Sequence, residues 1–134
     1  MAVPFIFPPV KIKNVHCIDG GVVEPVPVAT VKLLGAQVVV AVNLDGKHLI
    51  KLKKTPSLPH SVMQQAVNIY RYNLSQLNVA QADVVVEPNT GVTGIVGWKG
   101  FLQSNNIVKS GEAAMKMVLP ELIAKIDLQK PRLV

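Results

Sequence analysis

One carboxylate in this sequence sits where chemistry could be done. Asp19 closes a short apolar run, is followed by Gly20 and Gly21, and leads through Glu24-Pro25-Val26-Pro27 toward a helical stretch. Glycine has no Cβ, so a substrate or another backbone can come close to the carboxylate, and it also admits positive φ in a tight turn. Pro25 and Pro27 fix φ and suit the first turn of a helix, where a missing N–H leaves no bond unmade. A carboxylate held on a strand-to-helix turn is placed for proton transfer. Asp-Gly-Gly also describes an ordinary turn, and the three residues alone leave both readings open.

The other chemistry-bearing residues form no constellation. His16, His48 and His60 have no triad or metal spacing, and no His-Glu-x-x-His occurs, so neither metal nor cofactor is expected. Cys17 lies two residues before Asp19 and could share its face of a strand, but reads as a buried, inert thiol. The five serines are Ser57, Ser61, Ser75, Ser104 and Ser110, and none stands in a Gly-x-Ser-x-Gly elbow. Gly91, Gly94, Gly97 and Gly100 recur every three residues. That spacing is not the dinucleotide fingerprint, although such a loop could cradle a phosphate in a non-catalytic binding module.

Three apolar segments must position these residues. Residues 11–18, 37–44 and 82–87 read as strands, and near-continuous valine runs mark strands buried on both faces of a parallel sheet. Helices are expected over 27–34, closed by Gly35, and over 61–78. The second opens on a Ser61–Gln64 capping box and has Met63, Ala66, Val67, Tyr70, Leu74 and Leu77 on one apolar face. A last helical region, 101–126, should break near Ser110-Gly111 and again at Pro120. Alternating strands and helices predict an α/β chain with right-handed crossovers.

Composition bounds the rest. A chain of 134 residues is one domain or a piece of one, and its core must be aliphatic, since 49% of residues are hydrophobic and only 4% aromatic. One cysteine excludes an internal disulfide. No run is long enough to span a bilayer, and residues 1–10 lack the basic start of a signal peptide, which makes a cytoplasmic location the expectation. The net charge is +6, and Lys47, Lys51, Lys53 and Lys54 alternate with Leu49, Ile50 and Leu52. That segment would suit peripheral contact with an anionic membrane, or be a lysine-protected loop or edge strand. Tyr70-Arg71-Tyr72 is an aromatic-basic cluster but lies within a helical pattern, so no nucleic-acid partner is expected.

Read in order, the landmarks resemble the C-terminal part of the bacterial branch of the patatin-like phospholipase family. Phe7-Pro8-Pro9-Val10 resembles the segment that precedes the family's catalytic aspartate, and Asp19-Gly20-Gly21 matches its Asp-Gly-Gly/Ala motif. Pro25-Val26-Pro27, Leu34-Gly35-Ala36, Ala82-Asp83-Val84-Val85-Val86-Glu87-Pro88 and Gly111-Glu112-Ala113-Ala114 match later landmarks. The resemblance covers nearly the whole chain. Phe5 replaces a frequent glycine, and Glu24 stands where the family usually has asparagine.

The resemblance implies a three-layer α/β/α fold with a mainly parallel sheet, and a serine acyl hydrolase whose Ser–Asp dyad needs no histidine. Asp19 would be the dyad carboxylate, with Gly20 and Gly21 shaping its loop and a lipid or other ester as substrate. Residues 1–134 would then be the C-terminal portion of the catalytic domain, incomplete at the N-terminus, because the serine elbow and the glycine-rich oxyanion segment are missing. The chain alone should be inactive. It should also expose strand edges that recruit an upstream half of the same protein or a second copy. The alternative is a pseudoenzyme or interaction scaffold of the same fold.

Overall fold

The computed structural model describes residue 2, residue 4, residues 7–47, residue 50, residues 57–90 and residues 104–129. Their architecture is mixed α/β: three α-helices and four short strands in two two-stranded sheets, one of them parallel.

The first departure from expectation lies directly before Asp19. Residues 11–18 are not one strand. Val10–Ile12 (β1) and Val15–Cys17 (β2) form an antiparallel hairpin, reversed at Lys13 and Asn14, whose φ angles are 45° and 67°. Two successive positive φ values give a two-residue turn whose twist matches that of the strands. Neither residue is glycine, and only Asn14 is of a type that favours such a turn. The hairpin is exposed, not buried on both faces.

Beyond it, Gly20–Val22 forms a single 3-10 turn, and Val28–Leu33 (α1) follows, ending at Gly35 with φ 96°. Only glycine takes that value without steric cost, and the expected C-cap is found there. Glu24 supplies what Pro27 cannot at the other end. Its Oε2 accepts the Thr30 hydroxyl at 2.6 Å, and its Oε1 accepts the Thr30 N–H in the first turn of α1 at 3.4 Å. A carboxylate there also offsets the positive end of the helix dipole.

Val40–Val42 (β3) and Val84–Val86 (β4) pair in parallel, with Val40, Ala41 and Val42 opposite Val84, Val85 and Val86. Pro59–Val79 (α2) connects them, as a parallel pair requires. Ala41, with Val39 beside it, packs with Val26, Val28 and Val79, and Val85 borders that cluster. Val84 and Val86 point to the other side of the sheet and are also buried. There Ser104–Gln129 (α3) runs along β4, antiparallel to it: Ser110 Oγ donates to the Asn89 carbonyl, Lys125 Nζ to that of Asp83, and Gln129 Nε2 to that of Gln37. β3 is not buried on both faces, since Val40 and Val42 are exposed beside their buried partners.

Two helices differ from their sequence reading. α2 starts at Pro59, with Leu58 as N-cap, so Ser61 lies inside the first turn and forms no capping box. α3 is unbroken through Gly111 and Pro120. Pro120 forfeits one backbone bond, to the Lys116 carbonyl, on a stretch exposed enough for water to replace it.

Asp83 braces the opposite end of the sheet from the strands' C-termini. Its Oδ2 accepts the Val39 N–H at 2.9 Å and lies 3.6 Å from Lys32 Nζ, while Lys125 reaches its main-chain carbonyl. This one residue thus ties the entries of both strands to α1 through its side chain and to α3 through its carbonyl.

Candidate functional site

Asp19 lies two residues beyond β2 and is the N-cap of the 3-10 turn. Its Oδ1 accepts the Gly21 N–H at 2.9 Å, and its own N–H donates to the Ala2 carbonyl at 3.0 Å. Anchored through one oxygen and through its backbone, the half-buried carboxylate has no described partner on Oδ2. That is the arrangement an acceptor needs: fixed in direction, with one lone-pair site open.

The two glycines act differently from each other and from the expectation. Neither adopts positive φ. A Cβ at Gly20 would meet nothing within 4 Å, whereas one at Gly21 would stand 3.0 Å from Asp19 Oδ1. Gly21 is therefore glycine because the carboxylate folds back over it. Gly20 contributes space.

Helix α2 holds this turn from the side. Tyr70 donates its hydroxyl to the Val22 carbonyl at 3.1 Å, and Asn78 Oδ1 accepts the Val26 N–H at 3.5 Å. Tyr70 was expected on a buried apolar face. Instead it is half exposed, as is Met63, and Leu77 on the same stripe is more exposed still. The side of α2 that is buried carries Asn68, Ser75 and Val79.

Ser75 belongs to a second cluster, which sequence reasoning missed. It lies at the carboxyl ends of β3 and β4, where parallel sheets commonly place their ligand sites. Arg71 grips Asp45 with Nη2 2.9 Å from Oδ1 and Nε 3.2 Å from Oδ2. Asp45 N–H donates to Asn43 Oδ1 at 3.0 Å, and Asn43 Nδ2 donates to Glu87 Oε1 at 2.9 Å. Ser75 Oγ, fully buried, bonds the Tyr72 carbonyl at 2.9 Å and that of Asp45 at 3.3 Å. Among the described residues every buried side-chain polar atom has a partner. The cluster is closed upon itself, which makes it a fastening for the segment leaving β3. The signal was present in Asp45-Gly46 and in an arginine amid an apolar helix, but their pairing across 26 positions was not readable.

The serines divide by their commitments. Ser75 is locked in the cluster just described, and Ser110 Oγ donates to the Asn89 carbonyl at 2.8 Å. Ser61 Oγ lies 3.3 Å from Nε2 of the exposed His60, and Ser57 is exposed. No described hydrogen bond joins any serine to Asp19. His16 is exposed as well. Cys17 is half-buried rather than buried, on the face of the hairpin that carries Val10. Among the described residues no group of three or more His, Cys, Asp or Glu is placed to hold a metal ion, and no helix is long and apolar enough to cross a membrane. Lys47 is exposed after β3; Lys51, Lys53, Lys54 and the glycines from 91 to 100 lie outside the described residues.

No protein-family model matches the chain.

Proposed function

We propose that residues 1–134 are the aspartate-bearing part of a patatin-like Ser–Asp acyl hydrolase acting on lipid or other carboxylic esters, within a three-layer α/β/α fold. The observation that carries this reading is the state of Asp19: Oδ1 pinned by the Gly21 N–H, Oδ2 without a partner among the described residues, and the turn anchored to α2. Nothing in the sequence supplies a serine on a nucleophile elbow, so the nucleophile belongs to a segment outside these residues.

In the proposed reaction Asp19 Oδ2 accepts the proton of that serine hydroxyl as Oγ attacks the ester carbonyl carbon. The C–O bond to the alcohol breaks, and the proton passes to the departing alkoxide. Water then attacks the acyl-serine with Asp19 again as base, releasing the carboxylic acid and restoring the serine. No histidine enters, which agrees with the exposed positions of His16 and His60.

A fluorophosphonate probe tests where the nucleophile lies. The 134-residue chain should remain unlabelled and leave p-nitrophenyl esters intact. The same chain joined to a Gly-x-Ser-x-Gly-bearing segment should label at that serine. Stoichiometric labelling of any of the five serines here would overturn the assignment. A joined protein that binds its parts but never labels would indicate a non-catalytic scaffold.

A further inference from the structure

The hairpin that delivers Asp19 has two chemically different faces. In an antiparallel pair, opposed residues project to the same side and successive residues alternate. The register places Val10 opposite Cys17 and Ile12 opposite Val15, so these four share one face, while Lys11 and His16, also opposed, share the other. Lys13 stands at the turn. Val10, Ile12 and Val15 are 51%, 56% and 62% exposed, and Ile18, next along the chain, is 49% exposed. Neither strand makes an extended contact with another described helix or strand.

We propose that this hairpin is an interfacial docking element that rests its apolar face in the surface of an anionic lipid layer. This rests on the acyl hydrolase reading only for its purpose, since docking would set Asp19, two residues beyond β2, at the lipid surface. Charge argues for the occupant. Residues 1–18 hold no acidic side chain, and the basic residues of the hairpin lie at its tip and on the face away from the apolar one. Lysines on such a polar face extend toward anionic headgroups while the other face enters the acyl boundary. Size argues against a second copy. Four side chains cover only a few hundred Å², well below the roughly 1,200 Å² that a stable protein interface buries. Shallow seating also leaves the outer strand edges in the hydrated headgroup layer, where water satisfies their backbone groups.

The test uses the 134-residue chain and flotation with vesicles, and needs no enzymatic activity. Wild type should float with phosphatidylglycerol-containing vesicles and bind pure phosphatidylcholine at least about tenfold more weakly, the charge-driven part being screened by salt. The double substitution I12S/V15S should lower anionic-vesicle binding at least about tenfold, and K11Q/K13Q several-fold, with unchanged circular dichroism, since all four side chains are exposed. An environment-sensitive fluorophore on Cys17, the chain's only cysteine, should shift to the blue on binding and be quenched by nitroxides near the headgroups. Flotation unaffected by I12S/V15S, a Cys17 label that remains in water when the protein is bound, or absence of binding would overturn the proposal. So would a dimer that I12S/V15S disrupts, which would assign the face to a second copy. Loss of esterase activity in a joined protein with vesicle binding intact would count against the hydrolase reading alone.

Discussion

Tyr70 donates its phenolic hydroxyl to the carbonyl of Val22, three residues after Asp19, across 48 positions of sequence. The bond reaches from the middle of the longest connection in the parallel unit to the turn that carries the carboxylate. It is the side-chain tie from α2 nearest to Asp19, supplemented by the longer contact of Asn78 with Val26.

Tyr70→Phe keeps the ring and removes only that donor. A net hydrogen bond of about 1 kcal/mol corresponds to roughly fivefold in a local opening equilibrium. Amide exchange at Gly21 to Glu24 should therefore quicken about fivefold, with exchange in β3 and β4 unchanged. Equal exchange in the turn of both proteins would mean that α2 does not hold it.

Arg71 and Asp45 form the best-buried ion pair described, with Asp45 only 9% exposed and Arg71 34%. Removing one partner leaves the other's charge poorly solvated, at about 3–5 kcal/mol for a fully buried pair and less here, because the arginine reaches water. Arg71→Leu should cost on the order of 2–3 kcal/mol in urea unfolding. Asp45→Asn combined with Arg71→Leu should cost less than the sum of the two single changes. Additive losses would show that the pair is not coupled.

Acid sensitivity should come in part from Asp83. The Val39 N–H holds its carboxyl below the ordinary 3.8, Lys32 and Lys125 act in the same direction, and desolvation opposes them. A carboxyl depressed in the folded state stabilises that state above its unfolded pKa, and the contribution is lost as pH falls through the folded pKa. The wild type should lose stability on acidification from about pH 4 downward, and Asp83→Asn should flatten that limb while lowering stability at neutral pH. Parallel pH profiles would remove Asp83 from the account.

Several of these elements were legible in the sequence for reasons that survive in the structure. Gly35 marked a helix end because no other residue takes its φ freely, and the apolar runs containing residues 40–42 and 84–86 held the parallel pair. The Lys13-Asn14 reversal was hidden, because its positive φ values fall on residues that carry no turn signature beyond one asparagine. The orientation of α2 was hidden for a different reason. Helical spacing identifies an apolar stripe but not what faces it, and Asn68 and Ser75 point inward because main-chain and side-chain partners satisfy them there. Pro120 and Gly111 misled because local propensity costs can be outweighed by packing, here of α3 along β4.

The two glycines beside Asp19 should respond unequally. Gly21→Ala puts a methyl 3.0 Å from Asp19 Oδ1, so the carboxylate must swing away, whereas Gly20→Ala meets open space. A misplacement near 1 Å can cost about 100-fold in rate. In the protein joined to its serine segment, Gly21→Ala should lower kcat/KM by at least about tenfold, and Gly20→Ala should leave it within about twofold. Equal effects would mean that the direction of the carboxylate is not set by this turn.

The most direct measurement is ester hydrolysis by that joined protein with Asp19 replaced by Asn. The amide keeps the shape of the side chain and can still accept the Gly21 N–H, so circular dichroism and thermal unfolding should be unchanged, while the proton acceptor is gone. The rate should fall by at least about two orders of magnitude, as removal of a positioned general base does. Retention of most of the activity by the Asn variant would contradict the account and leave Asp19 as a turn residue.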